Sequence, residues 1–232
     1  MITDVDRGYF PTPNPLVEQL LDLAELEAGC DVLEPSAGRG AIAEAAAARG
    51  AVVDCIELDT ARAEHIRASG YAREVTNADF LKVKVERRYQ RVIMNPPFAD
   101  RQDIRHVQRA LRFVKPGGLV VAVMLGSLSS RADRLTQDFR ARVQEAGGTI
   151  TDLPDGAFPD VGVRTVIAVI PVREAAPPPR FTPGRPGSRT SPQGPRWPSR
   201  GCSSRTRRQS TARHPSTGSS TGCAMARDRS QH

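Results

Sequence analysis

Residues 31–40 read Asp31-Val32-Leu33-Glu34-Pro35-Ser36-Ala37-Gly38-Arg39-Gly40 and contain the transition from which the architecture follows. Asp31 to Glu34 is a short apolar strand, Pro35 to Gly40 a turn of small residues, and the alanine-dense run Ala41 to Arg49 a helix ended by Gly50. A strand that passes through a small-residue loop into a helix is the opening unit of a parallel α/β sheet. Such sheets bind ligands beyond the carboxyl ends of their strands, where the strand order reverses. Gly38 and Gly40 are free to adopt positive φ, and the small side chains let a ligand come close to the backbone. An ordinary tight turn is the competing reading of the loop.

The same alternation continues on both sides. Upstream, Leu16, Leu20, Leu23 and Leu26 recur at helical spacing from Pro15 to Leu26, with Gly29 as the stop. Downstream, Ala51 to Glu57 is a second strand, Thr60 to Ala68 a helix closed by Ser69-Gly70, and Arg73 to Thr76 a third strand. Arg91 to Met94 is a fourth strand, stopped by Asn95-Pro96-Pro97 because proline cannot continue a central strand. Ile104 to Phe113 is predicted helical, Lys115-Pro116-Gly117-Gly118 a turn, and Leu119 to Leu125 a strand covered on both faces. A helix over about Arg131 to Ala146, a strand near Thr149 and a β-branched run from Val163 to Ile170 complete the pattern. The fold class predicted is α/β, a doubly wound, mostly parallel sheet.

Composition divides the chain in two. Residues 1–174 carry 22 basic and 25 acidic side chains, whereas residues 175–232 carry 11 basic and 1 acidic, so the whole net charge of +7 originates in the last quarter. That quarter is rich in Pro, Arg, Ser and Gly, with Phe181, Trp197 and Met225 as its large apolar residues. It is expected to be a disordered basic tail, 175–232, following a single domain, 1–174. A tail of this kind either holds nucleic acid through phosphate contacts or does nothing specific; an out-of-frame extension is a further reading. Cys30, Cys55, Cys202 and Cys223 form neither a disulfide framework nor a metal-binding spacing, so no metal is expected. The amino-terminal residues lack the pattern of a signal peptide, and no apolar run reaches transmembrane length. A cytoplasmic protein without membrane association is the expectation.

Glu57 lies 19 residues beyond Gly38, close to the roughly 20 that place a strand-end carboxylate on ribose hydroxyls in dinucleotide-binding and related folds. Glu34-Pro35-Ser36-Ala37-Gly38-Arg39-Gly40 is similar to the cofactor loop of class I methyltransferases, particularly those that modify exocyclic amino groups. The resemblance implies a Rossmann-like, seven-stranded sheet and S-adenosyl-L-methionine as cofactor. Glu34 would then lie near the methionine amino group, Glu57 on the ribose, and Ser36, Ala37, Gly38 and Gly40 along the loop that cradles the cofactor. Asn77-Ala78-Asp79-Phe80 resembles the segment in which an aspartate accepts the adenine amino group and an apolar residue packs on the ring, roles that fall to Asp79 and Phe80.

Asn95-Pro96-Pro97-Phe98 carries the chemistry. The amine of an aromatic base is a poor nucleophile because its lone pair is delocalised into the ring. A side-chain amide oxygen on Asn95 and a backbone carbonyl at Pro96 can accept its two hydrogens and turn the lone pair toward a methyl donor. Pro96 and Pro97 hold that backbone rigid, and Phe98 offers a face for a flipped base. A strand ended by a proline turn is the plain alternative. Tyr9-Phe10-Pro11-Thr12-Pro13 resembles the amino-terminal cofactor motif of adenine methyltransferases, in which Phe10, Thr12 and Pro13 flank the methionine end of the cofactor.

The resemblance extends from about Gly8 to Val172 and implies an adenine-specific DNA methyltransferase. Enzymes that modify amino groups of rRNA or tRNA bases, protein glutamine methyltransferases and a non-catalytic nucleic-acid-binding subunit are the alternatives. Such DNA enzymes usually carry a target-recognition domain after the last strand, where this chain has the basic tail, so a specificity subunit or other partner is a further expectation. Arg39 stands where small or hydroxyl residues are frequent. His65 and His106 are expected to be solvated helix residues, Cys55 to lie in the core, and Arg101, Arg105, Arg109 and Arg112 to share one helix face, available to phosphates or merely solvated.

Overall fold

In the computed structural model the chain divides into two units, Met1–Arg180 and Phe181–His232, and the residues described are 10–158 and 164–173, all in the first. The tail expected over 175–232, and the sequence positions Tyr9 and Val163, lie outside the described residues. Strands β1 (Asp31–Pro35), β2 (Val52–Glu57), β3 (Glu74–Asn77), β4 (Tyr89–Met94), β5 (Val114–Leu125), β6 (Thr149–Asp152) and β7 (Thr165–Pro171) form one seven-stranded sheet in the order β3-β2-β1-β4-β5-β7-β6. The first five strands pair in parallel, and β7 runs antiparallel to both β5 and β6. This is a mixed, mostly parallel α/β sheet of Rossmann-like form. The strand order reverses between β1 and β4, which is the switch point where such sheets open a binding crevice.

Helices α1 (Asn14–Leu23), α2 (Ala41–Ala48), α3 (Thr60–Ser69), α4 (Gln102–Ala110), α5 (Ser127–Ser130) and α6 (Arg134–Ala146) cover the sheet. Successive strand residues feed opposite cores: Val32, Val121 and Val123 join one, with Leu20, Leu21 and Ile42, while Leu33, Val120, Ala122 and Met124 join the other, with Ile104, Val107 and Phe139. A sheet buried on both faces needs apolar residues at every position, which is why these strands read as unbroken runs rather than alternating ones.

Helix ends follow local chemistry. The carboxylates of Asp59 and Asp133 accept the backbone N–H groups of Arg62 and Thr136 and start α3 and α6. Helix α1 stops earlier than its leucine spacing predicts, with Glu25 at φ +50° reversing the chain. The turn expected at Lys115–Gly118 is instead a bulge inside β5: Tyr89 pairs with Val114, but Arg91 pairs with Leu119. A Cβ on Gly118 would stand 2.5 Å from the Gln90 carbonyl, so this backbone approach requires glycine. Among the described residues no helix is long and apolar enough to cross a membrane.

Candidate active site

The carboxyl ends of β1, β2, β3 and β4 surround a cavity of about 420 Å³, within the range of small-molecule sites. Its walls bring together Phe10, Thr12, Glu34, Ser36, Ala37 and Gly38, and with them Glu57, Asp79, Phe80, Asn95, Pro96 and Pro97. Three residues expected here are not in the wall. Pro13 caps the amino end of α1, Gly40 faces Tyr71 behind the loop, where an added Cβ would lie 1.8 Å from the Tyr71 hydroxyl oxygen, and Phe98 points into the core.

Two carboxylates shape the loop. Glu34 is buried and its Oε2 accepts the Ala43 N–H at 2.8 Å, taking up a first-turn donor of α2 whose cap, Gly40, has no side chain. Burial pushes the Glu34 carboxyl well above the usual glutamate range, against the Ala43 hydrogen bond, and the nearby Glu57 charge adds to the rise. Glu57 Oε2 accepts the Gly38 N–H at 2.7 Å and Oε1 the Asp59 N–H at 2.9 Å, with Arg62 at 4.0 Å. Glu57 therefore fixes the glycine loop and still presents lone pairs to the cavity.

Asn77 contributes a clamp that sequence reading did not single out. Its Nδ2 donates to the carbonyls of Glu57 and Leu58, and its Oδ1 accepts from the Thr60 hydroxyl, binding the end of β3 to the end of β2. Burial would raise the pKa of Asp79, but the Lys82 ammonium and the Leu81 N–H on its carboxylate outweigh that and hold it below the usual value. Phe80 packs against Phe113 and His106, with ring centroids at 5.2 and 5.7 Å. Leu58 stands on the cavity wall 71% exposed, an apolar side chain held in solvent beside Glu57. Its position directly after the acidic strand end was the available sequence signal.

Asn95 follows β4, and both hydrogens of its amide are committed: Nδ2 donates to the Phe10 carbonyl and to Thr12 Oγ1, each at 3.1 Å. The opposite amide orientation would set Oδ1 against the Phe10 carbonyl, two acceptors facing each other, so these partners fix the orientation. Oδ1 is then left buried with no partner, a condition it shares among the described buried side-chain atoms with Thr165 Oγ1 alone. A buried acceptor without a donor costs about 1–3 kcal/mol.

Three expectations are corrected. Phe98 offers no open face: it stacks on Phe10 at 5.7 Å and meets Phe158 edge-on at 6.4 Å. His106 is not a solvated helix residue but is buried and lines the cavity. The arginines do not act as one basic face: Arg101 pairs with Asp133 and Thr136 and Arg109 bonds the carbonyls of Phe80 and Val83, which leaves Arg105 and Arg112 exposed. His65 is exposed and Cys55 buried, as expected.

No protein-family model matches the chain, and no curated protein matches it. Solved structures do. A type I restriction-modification methyltransferase subunit from Streptococcus thermophilus aligns at 18% identity and a TM-score of 0.64, over 72% of this chain and 46% of the other. A modification subunit of a putative type I restriction enzyme from Vibrio vulnificus aligns at 15% and 0.61, over 73% and 46%. An RNA methyltransferase from Salinibacter ruber, solved with S-adenosyl-L-homocysteine, aligns at 18% and 0.50, over 72% and 96%. The chain thus spans just under half the length of the two restriction-modification subunits and nearly all of the RNA enzyme.

Proposed function

We propose that this protein is an S-adenosyl-L-methionine-dependent methyltransferase acting on the exocyclic amino group of a nucleobase, with adenine in DNA as the leading substrate. The observation that carries the reading is the amide of Asn95, with Nδ2 secured to Phe10 and Thr12 and Oδ1 buried without a donor. A stable fold gains nothing from an orphaned acceptor, whereas a site that must receive an amine N–H gains a preset one.

The cavity fits the cofactor. Its volume is adequate, the Gly38 backbone is held in place by Glu57, and the Glu34 and Glu57 carboxylates line it as acceptors of the kind a cationic amino group and two ribose hydroxyls require. Glu34 takes the amino group, Glu57 the hydroxyls, and Asp79, Phe80 and Leu58 surround the base. When bound, S-adenosyl-L-methionine supplies an electrophilic methyl group on sulfur. The work of the chain is to orient the nucleophile: Asn95 Oδ1 and the Pro96 carbonyl accept the two amine hydrogens, which withdraws the lone pair from the ring and points it across the site. Phe98 is covered here, so base stacking on it requires separation from Phe10 and Phe158.

The restriction-modification neighbours support a DNA target. RNA is the second reading, favoured by the chain's coverage of nearly the whole Salinibacter ruber enzyme. Radiolabelled methyl transfer to DNA, RNA and protein offered in parallel, with nucleoside analysis of the product, tests both. N6-methyladenine in DNA is expected. Label in protein alone, or transfer to none of the three by protein that binds the cofactor, overturns the proposal.

A further inference from the structure

His106 has an arrangement that a buried structural histidine does not need. It sits on α4 facing the Asp79–Phe80 segment, its ring 5.7 Å from that of Phe80, and it lines the cavity. Nδ1 lies 2.8 Å from the carbonyl of Gln102. A carbonyl can only accept, so Nδ1 carries the hydrogen. Burial holds the imidazole pKa below its ordinary value, outweighing the opposing pull of the Gln102 carbonyl, Asp79 and Asp103, so the ring is neutral at physiological pH. In that tautomer Nε2 is a bare acceptor. Among the described residues nothing donates to it, and His106 itself lines the cavity.

The same cavity is lined by Asp79, whose carboxylate is already engaged by the Leu81 N–H and by Lys82. The exocyclic amino group of a purine carries two hydrogens and needs two acceptors. We propose that His106 is a specificity-determining residue of the cofactor site, its Nε2 accepting one hydrogen of the 6-amino group of the bound nucleoside while Asp79 receives the other. A 6-oxo purine presents an oxygen to the same nitrogen, two acceptors in opposition, and is rejected. This inference rests on the cofactor reading above and names the group that selects adenosine within it.

Calorimetric titration with S-adenosylhomocysteine and with its 6-oxo counterpart, S-inosylhomocysteine, separates the two. The wild-type protein is expected to prefer the adenosyl compound by at least about thirtyfold, since a site built around a hydrogen bond penalises a ligand that cannot make it. His106→Phe, which keeps the ring against Phe80 but has no acceptor, should reduce that preference to a few-fold, and His106→Gln, with an amide oxygen near the Nε2 position, should restore part of it. Equal wild-type affinities overturn the role of His106 and leave the cofactor reading intact. Full discrimination retained in His106→Phe also overturns it, and absence of binding to either compound removes both readings. Imidazole nitrogen resonances of the wild-type protein give a test that needs no variant: Nε2 is expected unprotonated in the free protein and shifted on adding S-adenosylhomocysteine. A hydrogen found on Nε2 in the free protein refutes the assignment.

Discussion

Glu57 and Gly38, 19 residues apart in sequence, are joined by a 2.7 Å hydrogen bond from the Gly38 N–H to Glu57 Oε2. The group proposed to take the ribose is thus also the brace of the loop proposed to receive the rest of the cofactor. Glu57→Ala should raise the Kd for S-adenosylmethionine at least about tenfold, while the rate at saturation changes only a few-fold. It also leaves the Gly38 and Asp59 N–H groups without their acceptor, at about 1–3 kcal/mol for a buried donor, with Tm falling by about 2–4 °C per kcal/mol in a domain of this size. Calorimetry and thermal melts read the two effects; an unchanged Kd removes Glu57 from the site.

Asn95→Ala should show the reverse pattern. Cofactor affinity stays within a few-fold, and methyl transfer falls at least about a hundredfold, the scale seen when a preset polar group aimed at the transition state is deleted. Single-turnover kinetics decide, and a loss of only a few-fold would exclude the proposed orientation of the amine.

Glu34 makes stability depend on pH. Its folded pKa lies above the ordinary value of 4.5, so above that pH the folded protein keeps a proton that the unfolded chain has lost. Stability from this group is fully present below the ordinary value and declines as pH rises toward the folded pKa. Glu34→Gln, which still accepts from Ala43, should flatten that decline and melt higher than wild type at neutral pH while binding the cofactor less tightly. A cationic amino group beside Glu34 favours its ionised form, so wild-type binding should release protons, detectable as a buffer-dependent enthalpy. A melting difference that does not vary with pH contradicts the assignment.

Gly40 has φ +87°, and its missing Cβ is the space occupied by the Tyr71 hydroxyl. Gly40→Ala should destabilise by more than the roughly 1–2 kcal/mol of left-handed backbone strain alone. Adding Tyr71→Phe should recover part of the excess, because the 1.8 Å contact disappears and the ring carbon at 3.0 Å remains. Denaturant melts of the two single variants and the double variant measure this coupling, and strict additivity would mean that the tyrosine does not set the requirement.

Much of the sheet could be read from the sequence because its residues are apolar on both faces: the runs ending at Glu34, Glu57, Met94 and Leu125 all became strands, the first three with cavity residues at or near their ends. What was not readable depends on partners remote in sequence. Helical spacing in α4 marks Ile104 and Val107 as inward, but the burial of His106 involves Phe80, and the loss of the basic face comes from carbonyls and carboxylates elsewhere that occupy Arg101 and Arg109. Phe98 is covered by Phe10 and Phe158, on segments far to either side. Strand direction is likewise invisible in a β-branched run, so the reversal of β7 could not be read from residues 163–170.

Removing residues 175–232 leaves every described element in place, because the last strand ends at Pro171. The shortened protein should melt within a few degrees of the full chain and keep its rate at saturating substrate. Loss of the +10 charge carried there should weaken nucleic-acid binding and flatten its salt dependence, as fewer counterions are released. Binding isotherms across a salt series measure the slope; failure to fold would move the domain boundary beyond 174.

The antiparallel course of β7 also decides where the domain can be handled. Thr165 pairs with Leu125 at the cavity end of the sheet, and Pro171 with Leu119 toward the other. Seven residues at about 3.4 Å each cover roughly 20 Å, so the chain leaves by the floor of the sheet, far from the mouth of the cavity. A resin, fluorophore or second enzyme coupled to a chain shortened to Arg173 starts on that far side, and the immobilised domain keeps its opening toward free solution.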